Sequence, residues 1–552
     1  MRKIFKFKWL AATVILGFLA IGAQSANEKY FEIAKNLDIF ATLIREVNSY
    51  YVDEINPNRM VKSGIDAMLN TLDPYTNYIP EDEIENYRTM TTGMYGGIGA
   101  VIGRRKDRNI ILMPYNGFPA EKAGLKIGDE ILEVDGFDVK KKSSNEVSKL
   151  LKGQAGTKVK LKVIKLGKTS PEIVEFQRER IKIENVPYFG MITNDIGYVQ
   201  LSEFTSDAAR EVKKGIEDLK AKGATKLIFD LRDNPGGLLN EAVNISNLFI
   251  PKDKLVVNTK GKVAEWVKEY RALNMPFDTE IPVAVLVSGR SASASEIVSG
   301  VIQDYDRGVL VGQKSYGKGL VQTTRPLTYN SQLKVTTAKY YIPSGRCIQA
   351  IDYSSRGADG NARKVADSLR IAFKTANGRV VYDGGGVSPD IEVKREPFAA
   401  ITTSLISKDL IFDFASSYFL SHSAISKPLE FQFSDAEFIQ FTNWLKDKEY
   451  DYTTKVETTI KDLTAAAQKE KYYEEIKDQL EGLKTRMAHN KDHDLEKHKV
   501  EIKEVLEQEI VSRYYFEKGA KEASFDDDPE VKEAIKVLND PTRYQLILAG
   551  KK

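Results

Sequence analysis

The sequence predicts a multidomain α/β protein, with a helical segment and a small strand-rich domain before the α/β core and a charged helical region after it. From Ile196 onward, apolar runs of strand length alternate with amphipathic helical stretches, the pattern of a largely parallel sheet with helices packed against it. Between Tyr95 and about residue 180 the texture is different: short β-rich runs punctuated by glycine. The length, 552 residues, allows about three to four domains at about 150 residues each. With 42% hydrophobic and 29% charged residues the composition is that of a globular chain and excludes a disordered or collagen-like one. Lys+Arg 81 against Asp+Glu 78 leaves a formal charge of +3, too balanced to steer a phosphate backbone, so nucleic acid is not an expected partner. A single cysteine, Cys347, excludes an internal disulfide.

At the N-terminus Arg2, Lys3, Lys6 and Lys8 precede an uncharged, mostly apolar run of 15 residues from Trp9 to Ala23, and Ala23-Gln24-Ser25 puts small residues at −3 and −1. This predicts a secretory signal over 1–25 and an exported, periplasmic protein. The run is short of the roughly 20 residues a spanning helix needs, which weighs against an uncleaved anchor. No cysteine follows it for a lipid anchor, and no second apolar run of spanning length occurs. Residues 26–88 are expected to be helical, because 30–70 place apolar residues at three- and four-residue spacing with a break at Asp53 and Asn56-Pro57. In 89–180, NIILMPY, EILEVDG and KVKLKVIKL read as strands, and PAEKAGL and SSNEVSKLLKG as short helices. In 181–395, IGYVQLSEF, TKLIFDL, PVAVLVSG and RGVLVGQ read as strands, with TKLIFDL apolar enough to be buried on both faces. AREVKKGIEDLKAKG is a helix ending at Gly223, and another begins near Ser293. Residues 396–552 read as charged amphipathic helices, suited to packing rather than catalysis. Packing on the core, self-association and docking of an adaptor protein all fit their composition.

All four histidines, His422, His489, His493 and His498, lie downstream of the α/β segment, so a base within it must be another residue type. His489 and His493 stand at i,i+4, but inside a run of Lys, Asp and Glu and without the HExxH glutamate they read as a solvated face. Three local features could carry chemistry. Ser291-Ala292-Ser293-Ala294-Ser295-Glu296 sits between an apolar strand and a helix, where a serine can attack a carbonyl while free amides hold the oxyanion, or can simply cap the helix. Gly317-Lys318-Gly319-Leu320-Val321-Gln322 offers a lysine whose flanking glycines permit close backbone approach; buried, its amine loses its proton more readily and can deprotonate a serine, with Gln322 to orient it. A surface lysine has the same local signature. Phe229-Asp230-Leu231-Arg232-Asp233-Asn234-Pro235-Gly236-Gly237 is a strand ending in a tight turn whose amides suit an oxyanion hole, or an ordinary strand-to-helix turn.

Together, in this order, the segments Asp230–Gly237, Ser291–Glu296 and Gly317–Gln322 resemble the C-terminal processing peptidases, or tail-specific proteases. The resemblance implies Ser293 as nucleophile, Lys318 as general base, Gln322 as the residue orienting the lysine, and the N–H groups of Ala294 and of Gly236 or Gly237 as oxyanion donors. It extends to Tyr95–Gly99, Pro119–Leu125 and Gly128–Leu132, which look like the family's PDZ domain, with Gly97, Ile98 and Gly99 implied as the loop that captures a terminal carboxylate. LDPYTNYI (Leu72 to Ile79) and GGGVSPDIEV (Gly384 to Val393) also match, so the likeness runs from about residue 35 to 395. With the signal peptide (1–25), the N-terminal helical segment (26–88) and the helical C-terminal region (396–552) read from the residues, it implies a PDZ domain (89–180) and a crotonase/ClpP-like serine protease core (181–395). The implied activity is a Ser-Lys endopeptidase without metal or cofactor, acting through an acyl-enzyme on exported proteins recognised near accessible C-termini. Cys347, in YYIPSGRCIQ, is read as a buried or semi-buried bystander. Two rivals remain open: Ser315-Tyr316-Gly317-Lys318 is formally the S-x-x-K of penicillin-binding acyl-transferases, although glycines oppose the helix that chemistry needs, and a non-catalytic PDZ scaffold would share the same segments.

Overall fold

A computed structural model describes residues 30–357 and 360–551. The signal-like segment 1–25 and the side chain of His489 lie outside the described residues. The chain divides into two compact units. The smaller holds residues up to Pro80 together with Thr324–Val335, and the larger holds Glu81–Thr323 and Thr336–Lys552.

In the smaller unit a helix over 30–50 is followed by the helix Pro57–Asn70. The predicted break between them is a helix start: Asn56 Oδ1 accepts the Arg59 N–H at 3.0 Å, and Pro57, with no N–H to satisfy, occupies the first turn. The strand Asn77–Ile79, a departure from the all-helical expectation for 26–88, pairs antiparallel with residues 332–334.

In the larger unit a six-stranded sheet runs in the order Tyr188–Met191, Ile196–Gln200, Lys226–Asp230, Val283–Val287, Val309–Gly312, Ile391–Glu392. The first pair is antiparallel and the other pairs are parallel. Parallel neighbours require long crossovers, which the helices Ala208–Ala221, Leu239–Phe249 and Ala294–Asp304 supply. Side chains alternate along a strand, so a run apolar at every position needs cover on both faces. Leu227, Phe229, Val283 and Val285 enter the core built with those three helices, while Ile228, Ala284 and Leu286 enter a second core on the other face. That second core is closed by the end of the chain: Phe525, the helix Pro529–Leu538 through Val531, Ala534 and Val537, and the helix Pro541–Leu548 through Tyr544.

The strand-rich domain is an antiparallel sheet of Ala100–Arg105, Arg108–Pro114, Glu130–Val134, Lys158–Ile164 and Glu172–Gln177, with Ala100–Arg105 at one end. Its core includes Ile98, Ile111, Ile131, Val134 and Val159, together with Val147 and Leu151 from the helix Ser144–Leu151. The C-terminal helices Ala400–Ser407, Leu410–Ser421, Asp435–Leu445 and Lys499–Ala523 pack Phe414, Phe433, Phe441, Leu506 and Ile510 within, and most of their charge lies on Lys499–Ala523. Arg105 and Lys106 reach Asp409 and Asp413 of this region at 2.6 and 2.5 Å. Among the described residues no helix is long and apolar enough to cross a membrane.

Candidate active site

Lys226–Asp230 and Val283–Val287 lie side by side, with Asp230 opposite Leu286, so the turns leaving their C-terminal ends are neighbours. Open parallel sheets bind their ligands outside such strand ends. The two turns are stitched together. Ser291 Oγ donates to Leu231 O at 2.8 Å, the Asp233 N–H donates to Ser288 Oγ at 3.0 Å, and the Ala292 N–H and Ser295 Oγ both donate to Asn234 O at 3.0 Å. Only a glycine fits at the contact: a Cβ on Gly236, whose φ is +98°, would lie 2.8 Å from Ser293 Cβ and 2.9 Å from Ala294 N.

Ser293 caps the helix Ala294–Asp304 with φ 55° and ψ −111°, a conformation that costs a non-glycine residue of order 1–3 kcal/mol. It is half-buried between buried Ala292 and Ala294. The backbone donors around it can be followed one by one. The Ser293 N–H donates to Glu296 Oε2 at 2.8 Å, the Ser295 N–H to Ala292 O, and the Glu296 and Ile297 N–H groups to Ser293 O. The Ala294 N–H has no acceptor among the described residues. In the facing turn the Gly236 N–H donates to Asn234 Oδ1 at 2.8 Å, whereas the Gly237 N–H has no acceptor among the described residues.

Lys318 is half-buried in a stretch, 314–319, that is neither helix nor strand. The expected close approach at its flanking glycines is present: a Cβ on Gly317 would meet Ala350 Cβ at 2.4 Å, and one on Gly319 would meet Gln349 N at 2.8 Å. Two residues that the sequence reading passed over join this stretch to the Ser293 turn. The carboxylate of Glu296 accepts the Ser293 N–H and the Lys318 N–H on Oε2 at 2.8 and 2.9 Å, and the Gly317 N–H and Ser315 Oγ on Oε1 at 2.7 and 2.5 Å. The buried Tyr340 hydroxyl bridges the matching carbonyls, 3.1 Å from Ser293 O and in short contact with Lys318 O. Glu296 is fully buried, and burial pushes its carboxyl up to about 7 even though all four donors favour the ionised form. Its signal was in the sequence, since Ser293-x-x-Glu296 is a capping-box spacing; Tyr340 had none.

Gln322 is half-buried and its Nε2 donates to Thr336 Oγ1 at 3.2 Å. The Ser315 hydroxyl is engaged twice, donating to Glu296 and accepting the Val387 N–H at 2.7 Å, and the helix that S-x-x-K chemistry needs is absent at this point. Cys347 is half-buried, and burial raises its thiol. Gly97, Ile98 and Gly99 share no described contact with the Ser293 turn. They lead into the end strand Ala100–Arg105, with the Ile98 and Gly99 carbonyls held by the N–H groups of Ala120 and Tyr115 at 2.8 Å. A Cβ on Gly99, at φ +72°, would lie 2.4 Å from Phe118 Cβ.

Comparison with known proteins agrees with this architecture. The profile of peptidase family S41 matches residues 195–354, that of a PDZ domain 113–165, and that of the probable PDZ-protease C-terminal helical domain 401–538. The PDZ match begins downstream of Gly97–Gly99. A carboxy-terminal-processing protease of Bartonella bacilliformis is 35% identical over 347 residues, 62% of this chain and 78% of that protein. A probable CtpA-like serine protease of Staphylococcus aureus is 33% identical over 355 residues, 62% of this chain and 70% of that protein. Among solved structures, a photosystem II D1 C-terminal processing protease is 26% identical, covering 64% of this chain and 92% of that one with a TM-score of 0.35. The relatives' shared length and identity carry the assignment that the sequence motifs suggested: the chain belongs to peptidase family S41, as a PDZ-containing serine endopeptidase of the carboxy-terminal-processing kind.

Proposed function

We propose that the protein is an exported Ser-Lys endopeptidase that cleaves protein substrates recognised near their C-termini. Ser293 Oγ attacks the scissile carbonyl while Lys318, as a neutral amine, takes the hydroxyl proton and returns it to the departing amine. The resulting ester is hydrolysed by a water whose proton passes to Lys318 and from it to the departing Ser293 Oγ, which restores the neutral amine and the free hydroxyl. The oxyanion is held by the N–H groups of Ala294 and Gly237, the two donors near Ser293 without a described acceptor. Gln322 steadies the lysine from its place beside Thr336. The observation that carries the reading is the double bridge by Glu296 and Tyr340, which ties the N–H and C=O of Ser293 to those of Lys318. A shared register of this kind is what a nucleophile and base on separate segments require. The free edge of Ala100–Arg105 receives the substrate's tail as an added strand, with the Gly97–Gly99 loop at its terminal carboxylate.

The test is cleavage of an unstructured protein with an apolar C-terminus by the full chain. Ser293→Ala and Lys318→Ala abolish cleavage, Ser315→Ala leaves a measurable rate, and a metal chelator has no effect. Cleavage surviving in Ser293→Ala would overturn the assignment. Amidating the substrate's C-terminus slows cleavage if the PDZ domain reads a free carboxylate, and equal rates for the two forms would remove that part of the reading.

A further inference from the structure

We propose that the end of the chain belongs to the catalytic apparatus: Asp528 and Glu530 are positioning residues for the Asn234–Gly237 turn, acting through Arg232 and Asp230. The proposal rests on the reading of Ser293 and Gly237 given above. Arg232 is buried at the C-terminal end of the central strand Lys226–Asp230, and its guanidinium is held from two sides. From its own strand, Asp230 takes Nε at 2.9 and 3.0 Å, Nη2 at 2.7 Å and the Arg232 N–H at 2.9 Å. From the far end of the chain, Asp528 takes Nη1 at 2.9 and 2.7 Å and Glu530 takes it at 3.2 Å. Lys521 stands 3.6 Å from Asp230, and Arg395 Nε lies 2.8 Å from both oxygens of Glu530. Three carboxylates thus face three cations, of which Arg395 is partly exposed.

Such a network is a poor way to gain stability, because well-packed apolar residues do as well at a buried site, and here an apolar core adjoins it. Its direction and its place favour a positioning role. Arg232 precedes by two residues Asn234, whose carbonyl holds the Ala292 N–H and Ser295 Oγ and whose Oδ1 holds the Gly236 N–H. A guanidinium gripped on both edges has one orientation, so the strand end, and Asn234 with it, is held in place against the start of the helix Pro529–Leu538. The distance between the two oxyanion donors is therefore set partly by residues nearly 300 positions downstream, with a sequence separation of 296 for Arg232 and Asp528. Asp528 also caps the helix Pro529–Leu538, accepting the Glu530 and Val531 N–H groups at 3.1 Å, so the grip is anchored on the helix that closes the second core.

The test uses the full chain carrying Asp528→Asn and Glu530→Gln together. Asparagine caps a helix as well as aspartate does, so the helix start is retained while the two carboxylate charges that the end of the chain places on Arg232 are removed and Asp230 stays. The expected result is a fall in kcat of roughly 10-fold to 100-fold with KM nearly unchanged, the cost of a small displacement of catalytic groups. A peptide boronic acid, which presents a tetrahedral oxyanion, loses affinity by the same factor, and adding Arg232→Gln brings no further loss because all three substitutions break one device. Wild-type kcat and boronate affinity in the folded double variant would overturn the proposal and leave the tail as packing alone, whether or not its melting temperature fell. Full activity in a Ser293→Ala control would instead overturn the site reading, and this proposal with it.

Discussion

Glu296 and Asp230 are both buried carboxylates beside the two turns of the site, yet burial carries the Glu296 carboxyl up to about 7 while the Asp230 carboxyl stays well below the usual range. Desolvation pushes both upward, and what differs is the partner. Glu296 is met by three amides and a hydroxyl, neutral donors that stabilise its charge less than burial opposes it. Asp230 is met by the Arg232 guanidinium and the Lys521 ammonium, whose opposite charges outweigh its burial. The difference separates two ways of holding a loop. Neutral donors around a carboxylate fix several backbone positions at once and leave its protonation open near neutral pH, whereas an ion pair fixes the charge as well and holds one segment firmly.

The sharpest way to break this contrast is to remove the charge that must be paired. Asp230→Leu leaves Lys521 without its carboxylate and Arg232 held by Asp528 and Glu530 alone, and a loss of about 3–5 kcal/mol in unfolding free energy is expected, read as a lower denaturant midpoint; an unchanged midpoint would mean that the pairing is idle. Glu296→Gln is the milder change. An amide has one acceptor oxygen for four donors, so about 1–3 kcal/mol of stability is lost, and cleavage falls because the Ser293 and Lys318 segments lose a common anchor. Retention of the wild-type rate would show that Tyr340 alone holds their register.

Titration separates the two carboxylates at smaller cost. Because the folded protein holds the Glu296 proton more tightly than the unfolded chain does, stability falls as pH rises from the ordinary carboxylate range to about 7, by at most about 1.4 kcal/mol per pH unit. Asp230 has the opposite sign: its contribution is present above the usual aspartate range and is lost as pH falls through and below it. Unfolding curves from about pH 2 to pH 8 test both signs, and Glu296→Gln flattens the upper part of the profile; an unaltered slope would assign it to another group. Least of all, Tyr340→Phe removes a single hydroxyl from the bridge and costs about 0.5–1.5 kcal/mol, with a smaller loss of activity than Glu296→Gln.

Much of this was legible in advance, for reasons that differ from element to element. The strands Lys226–Asp230 and Val283–Val287 announce themselves as short runs apolar at every position, because a strand covered on both faces has no other way to be stable. The helix Pro57–Asn70 announces its start through Asn56 and Pro57. The glycines beside Lys318 implied close backbone approach, and Ala350 and Gln349 are what they approach. By contrast, nothing near Gly236 in sequence says that Asn234 Oδ1 takes its N–H and leaves Gly237 free, since both glycines suit a turn amide equally well. The composition of the charged tail left packing on the core, self-association and partner docking equally open, and the structure shows its last apolar residues closing the second face of the central sheet.

By itself, then, the amino-acid sequence determined most of the elements, their order and the three segments that the structure brings together. Each of these depends on periodicity, caps and turn residues within a few positions of one another, where steric and hydrogen-bonding preferences act directly. Only the tertiary structure decided which buried carboxylate is paired by charge and which by neutral donors, and that Asp528 grips Arg232. Those outcomes depend on which surfaces meet, and the energy of a buried charge is set by the groups that surround it in space rather than along the chain.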